Sequence, residues 1–265
     1  KKCELTEAEE YNLKNYVEKI GLEYLSTPFS KKAVDRLIKL DVKAFKIGSG
    51  ECNNFPLLEY IAKFKKPVIL STGMNDLKTI KIASKILKNS NVDFALNHCT
   101  NIYPSNYSDA RLGFIDVLKK EFPNNLIGLS DHSKDNLVAL AGISKGAKLI
   151  ERHYVDSKRR KGPDISSSMD FNDLKNLINT SINIHQSLKM KNQILPKEKN
   201  VANFAFASVV SIKKIKKGEK LSLKNIWVKR PGTGDFLAKN LKKLINKRAK
   251  KDIKENSQLK FSDVT

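Results

Sequence analysis

The chain has 265 residues, 40% of them apolar, with 12 Gly and 8 Pro: globular composition, enough for one large α/β domain or for a domain of about 200 residues plus a small one. No apolar run approaches the ~18 residues of a membrane span, and the opening KKCELTEAEEYNLKNYV lacks the apolar core of a signal peptide, so a cytoplasmic protein with no membrane partner is expected. The net charge of +22 rests on 43 Lys against 7 Arg spread over every predicted helix, and without a nucleic-acid motif it does not argue for a nucleic-acid partner.

Hydrophobic period predicts helices over 6–20, 31–40, 54–64, 76–89, 109–121, 134–146 and 170–190, several opening on Ser, Asp or Asn. Between them, GLEYLSTPF (21–29), AFKIGSG (44–50), KPVILSTG (66–73), VDFALNHCT (92–100), NLIGLSDH (125–132) and AKLIERHYV (147–155) have the length and apolar content of strands. Residues 191–203 carry the Pro and charge of a linker. The remainder, 204–265, breaks into short β-like runs at Gly turns and holds 17 basic against 5 acidic residues. The expected organisation is a domain of alternating strands and helices over 1–190, the linker over 191–203, and a small β-rich domain over 204–265. Cys3, Cys52 and Cys99 are odd in number and far apart, which fits reduced thiols.

Strands alternating with helices imply a parallel sheet under helices, either open or closed into a barrel. An open sheet gathers ligand groups at one switch point, whereas a (β/α)8 TIM barrel gathers them from the C-terminal ends of many strands. Here every strand ends in polar groups: Ser26 and Thr27, Lys46 and Ser49, Ser71 and Thr72, His98 with Thr100 and Asn101, Ser130 with Asp131 and His132, and Glu151 with Arg152 and His153. The pattern predicts a TIM barrel whose strand-end charges point into a shared pocket. Six units are visible where a barrel needs eight, so the first two β/α units are expected to lie outside this sequence.

His132 and His153, at the ends of adjacent strands with Asp131 and Glu151 beside them, suit a divalent ion such as Mn, Zn, Fe or Co. His98 reads as structural or supporting, and His185 as surface or packing. Lys46, projecting inward from its strand, is either a Schiff-base former or a fixed positive charge for an anion. Ser49, Ser71, Ser130 and Thr27, with Gly48, Gly50 and Gly73, supply hydroxyls and approachable N–H groups for a phosphate or carboxylate. The loops NHCTNIYPS and KGPDISSSM offer Asn101, Tyr103 and Asp164 to a polar substrate, and WVKRPGTGDF offers Arg230.

The segments STPFS, KIGSGECNNFPL, ILSTGM, HCTNIYP, GLSDHS, LIERHYVD, GPDISSSM, FAFASVV and WVKRPGTGDF, in order along the chain, resemble the bacterial N-acetylneuraminate (sialic acid) synthase family. That resemblance implies a TIM barrel followed by an antifreeze-like SAF domain in a domain-swapped homodimer. It also implies condensation of phosphoenolpyruvate with N-acetylmannosamine at a divalent metal, typically manganese, with magnesium or cobalt as alternatives. Carried over by motif, His132 and His153 would hold the metal, and Lys46, Thr27, Ser49, Ser71, Asn101 and Ser130 would hold phosphoenolpyruvate. Tyr103 and Asp164 would position the sugar, Glu151 would lie in the same catalytic site, and a partner's SAF domain would bring the arginine, here Arg230, to the N-acetyl group. Legionaminate or pseudaminate synthesis uses the same machinery on other acetamido sugars. A carbohydrate- or polyanion-binding protein on an inactive barrel is the reading from another class.

Overall fold

Thr6 starts the first helix, α1 (Glu7–Lys19): its hydroxyl accepts from the Glu9 N–H while the Glu9 carboxylate accepts from the Thr6 N–H at 2.7 Å, a reciprocal cap that satisfies two otherwise orphaned donors. The computed structural model describes residues 4–189 and 195–265. From α1 the chain runs through α2 (Lys31–Lys39), β1 (Phe45–Ile47), α3 (Phe55–Ala62), β2 (Val68–Ser71), α4 (Leu77–Asn89), β3 (Phe94–Cys99), α5 (Gly113–Glu121), β4 (Leu126–Asp131), α6 (Leu137–Ser144), β5 (Ile150–Arg152) and α7 (Phe171–Ser187). Side-chain caps are present at four further helices: Ser30 accepts from Ala33 N, Asn54 from Leu57 N, Asp76 from Thr79 N and Asp170 from Asp173 N; α5 and α6, which follow Leu112 and Asn136, start without one.

The five strands form one parallel sheet in the order β1-β2-β3-β4-β5, curled as half of a TIM-type barrel. Sequential order with every pair parallel is what helical crossovers between neighbouring strands produce. The stretch 21–29, predicted as a strand, is not one. It runs extended beside β1 and contributes a single long bond, Lys46 N to Ser26 O at 3.4 Å, and one such contact does not make a ladder. Leu22 and Phe29 within it are exposed.

Between sheet and helices lies a core in which Leu37, Phe45, Leu58, Ile61, Leu70, Ile80, Leu87, Leu96, Ile115 and Leu118 are buried. His98 joins this face of the sheet. Its Nε2 lies 2.7 Å from the Ala110 carbonyl, which can only accept, so Nε2 carries the proton.

The chain divides into two compact units, Lys1–Lys189 and Met190–Thr265. In the second, Pro196–Glu198 forms a 3-10 turn followed by α8 (Lys199–Ala205), so part of the expected linker is helical; 191–194, Met190 and Cys3 lie outside the described residues. β6 (Ser208–Ser211) pairs antiparallel with β7 (Ile226–Lys229), and α9 (Leu241–Leu244) follows. Val209, Ile215, Leu221, Ile226, Leu244 and Leu259 form this unit's own core. Among the described residues, no helix is long and apolar enough to cross a membrane.

Two outcomes follow from this packing. Leu96→Ala, fully buried on the central strand β3, is expected to lower stability by about 2–5 kcal/mol, read as a shifted urea midpoint. Burial holds the His98 imidazole below its ordinary pKa, so in acid the unfolded chain binds more protons than the folded one. Its contribution to stability is therefore full above about pH 6.5 and falls as the pH drops toward the folded value. His98→Gln should flatten the decline of urea midpoints below about pH 6.5, leaving the part due to other buried groups.

Candidate active site

Side chains alternate across a strand, and residues in register on parallel neighbours share a face. Ser71 pairs with Asn97, Cys99 with Ser130, and Ser130 with Glu151, so these five face the inside of the curled sheet. His98, Asp131 and Arg152, one residue off, face the helices.

On the inner face the Lys46 ammonium donates to Ser71 Oγ at 2.9 Å and lies 3.3 Å from Glu151 Oε2. The Glu151 carboxylate also accepts from Ser130 Oγ at 3.1 Å and, weakly, from Asn97 Nδ2 at 3.4 Å. Thr27, Lys46, Asn97 and Glu151 line a cavity of about 910 Å³ together with apolar residues that include Leu149 and Leu177. Gly128 leaves room for the Asn97 amide, because a Cβ there would collide with Asn97 Oδ1 and stand 2.7 Å from the Leu149 carbonyl.

One layer toward the strand ends, His132 Nδ1 lies 2.9 Å from the Thr100 carbonyl. A carbonyl only accepts, so Nδ1 carries the proton and Nε2 presents its lone pair. Burial lowers the His132 pKa, which favours that neutral form. The His132 and His153 rings are 5.3 Å apart, with Tyr103 4.1 Å from the first and 5.7 Å from the second. Asp164 Oδ2 stands 4.0 Å from His153 Nδ1. Ser49 Oγ accepts from Gly73 N at 3.1 Å, and a Cβ on Gly73 would strike both Asn101 Oδ1 and Ser49 Oγ. Beneath them the Cys99 thiol points at Asn101 Oδ1, 3.5 Å away, with its pKa pushed up by burial.

The structure thus brings together Lys46, Ser71, Ser130 and Glu151 by direct contact, and His132, His153, Tyr103 and Asp164 as a second cluster. Ser49, Asn101 and Thr27 border them. Arg230 belongs to the second unit, where it is exposed at the end of β7. Asn97 is a further member of the site that the sequence does not single out; its available signal is an amide following three apolar residues, Phe94 to Leu96, on a buried strand. Strand-end position also assigns Asp131 and Arg152 to the pocket. Instead, both side chains are only 1% exposed and pair with each other at 3.1 Å on the helix side of the sheet.

The two histidines fit a first-row divalent ion by donor type. Their ring separation also falls near the about 4.5–5.5 Å that two imidazoles sharing one ion at about 2.1 Å would show. Among the described residues, no group of three or more His, Cys, Asp or Glu converges there.

Comparison with known proteins agrees with this layout. The family model described as NeuB family matches residues 1–193, and the SAF domain model matches 206–265. The chain is 41% identical to an uncharacterised protein of Methanocaldococcus jannaschii, over 100% of this chain and 78% of that protein. It is 36% identical to the N,N'-diacetyllegionaminic acid synthase of Legionella pneumophila, over 88% of this chain and 67% of that one. Among solved structures, the N-acetylneuraminic acid synthetase of Leptospira borgpetersenii in complex with citrate superposes with a TM-score of 0.71 at 32% identity, covering 75% of this chain and 70% of that chain. With its half-barrel, its strand-end polar site and its β-rich C-terminal unit, the chain belongs to the NeuB family, the enzyme family of sialic, legionaminic and pseudaminic acid synthases, and carries a SAF domain.

Proposed function

We propose that the protein condenses phosphoenolpyruvate with N-acetylmannosamine, releasing N-acetylneuraminate and phosphate, with a divalent metal, manganese in the first instance. The observation that carries this reading is one cation, Lys46, held by Ser71 and by Glu151, whose carboxylate also accepts from Ser130, the last two on the strands that end in the His132–His153 pair. An anionic enol phosphate needs the former, and a sugar aldehyde needs an electrophilic centre such as the latter would hold.

Lys46, with the hydroxyls of Thr27, Ser49, Ser71 and Ser130 and the Asn101 amide, binds the carboxylate and phosphate and aims the methylene carbon at the aldehyde. The ammonium already donates to Ser71 and faces Glu151, so it acts as a fixed charge and no Schiff base is required. His132, through its free Nε2, and His153 would hold the metal, which supplies Lewis-acid polarisation of the aldehyde oxygen. Tyr103 and Asp164 orient the open-chain sugar. Arg230 is read, as the family resemblance implies, as the contact to the acetamido group supplied by a second copy in a homodimer. Carbon–carbon bond formation breaks the carbonyl π bond, the former aldehyde oxygen takes up a proton to become a hydroxyl, and the phosphate-bearing carbon is left cationic. Water adds there, Glu151 stands among the groups able to take its proton, and the carbon–oxygen bond to phosphate then breaks to give the keto acid.

The likeness to a legionaminic acid synthase favours a second reading, in which the same chemistry acts on a diacetamido 6-deoxy sugar. Initial rates with the two sugars separate them.

Phosphate release from phosphoenolpyruvate should require both sugar and metal and stop with EDTA; release without sugar, or none with either sugar, would count against the synthase. Lys46→Met is expected to reduce kcat/KM for phosphoenolpyruvate by about 10²–10³-fold, measured by the same phosphate assay.

A further inference from the structure

Asp131 and Arg152 precede the two histidines directly, one on β4 and one on β5, and they pair in register across those strands. Charges this deeply buried are poor stabilisers, because desolvation offsets most of their attraction, and apolar side chains would fill the space as well. The bonds around the pair indicate what it does. Asp131 accepts from Ser133 N at 2.8 Å and Ser133 Oγ at 3.1 Å. Arg152 donates Nη1 to Asn136 Oδ1 at 2.7 Å and Nη2 to the Ser133 carbonyl at 2.5 Å. Asn136 in turn donates to the Asp173 carbonyl at 2.8 Å and to Asn176 Oδ1 at 3.3 Å, both on α7. Arg152 Nε lies 3.1 Å from Asp131 Oδ2 but makes no well-directed hydrogen bond. The pair itself is thus held mainly by charge, while the two Nη groups provide the direction.

We propose that Asp131 and Arg152 are positioning residues for the His132–His153 pair: the buried guanidinium fork joins the ends of β4 and β5 to each other and to α7, and so sets the spacing of the two imidazoles on the opposite face. This rests on the reading of those histidines as a divalent-metal site. Lysine at 152 keeps the charge but cannot span Asp131, Asn136 and the Ser133 carbonyl at once.

The test is Mn2+ binding to the full-length protein, followed by the electron paramagnetic resonance signal of free Mn2+, which does not depend on turnover. Arg152→Lys and Asp131→Asn should weaken Mn2+ binding about 10–100-fold. In the phosphate assay they should raise the Mn2+ concentration needed for half-maximal rate, with KM for phosphoenolpyruvate little changed. Leu96→Ala, destabilised through the core away from this network, should bind Mn2+ as wild type does. Folded Arg152→Lys and Asp131→Asn proteins with wild-type Mn2+ affinity would overturn the proposal, as would an equal loss in Leu96→Ala. If neither charge variant folds, Asn136→Ala decides: it removes only the Nη1 acceptor and the tie to α7, several-fold weaker binding supports the proposal, and unchanged binding rejects it. A wild-type protein that binds no Mn2+, or binds it equally after His132→Ala, would instead show that the metal reading itself is wrong, and the positioning role falls with it.

Discussion

The register of β3, β4 and β5 is the constraint on which the site depends. Because side chains alternate, pairing Cys99 with Ser130 and Ser130 with Glu151 places these three side by side on the inner face. A slip of one residue would turn Glu151 and both histidines toward the helices and bring Asp131 and Arg152 inward. The chemistry therefore rests on backbone pairing laid down by the hydrophobic halves of the strands, where Leu96, Ile127 and Leu129 are buried.

Two kinds of charge result, and their surroundings separate their roles. Lys46 and Glu151 keep access to the cavity and are shared among hydroxyl and amide partners, so an anion can compete for the ammonium. Asp131 and Arg152 are sealed on the other side, and their partners are fixed parts of the scaffold. Glycine does related work by omission. At 73 and 128 the missing Cβ leaves room for Asn101 and Asn97, so amide groups occupy the site where a larger residue's own carbon would stand.

Much of this was legible in the residues. Seven helices and five of six strands lie where hydrophobic period puts them, with α5 starting at Gly113 and not at 109, because short amphipathic segments leave few alternatives. The stretch 21–29 had the composition of a strand, but a strand also needs a bonded neighbour, and composition does not report pairing. Asn97 is not singled out by sequence because its partner, Glu151, is 54 residues away and nothing local marks the pairing. Arg152 reads as a pocket residue by its strand-end position, and that position alone does not say which face a residue takes until the register is known.

The sequence by itself determined the element types, the alternation of strand and helix, and the residue classes at the strand ends, since these depend on local period, capping and chemistry. It also held the motifs by which the family could be recognised. Tertiary structure alone decided which strand-end residues meet. Glu151 faces Lys46 while the adjacent Arg152 faces Asp131, and His132 lies beside His153 while His98 turns into the helical layer. Those choices are contacts between residues far apart in the chain, made through strand register and sheet curvature, and no local stretch of sequence encodes them.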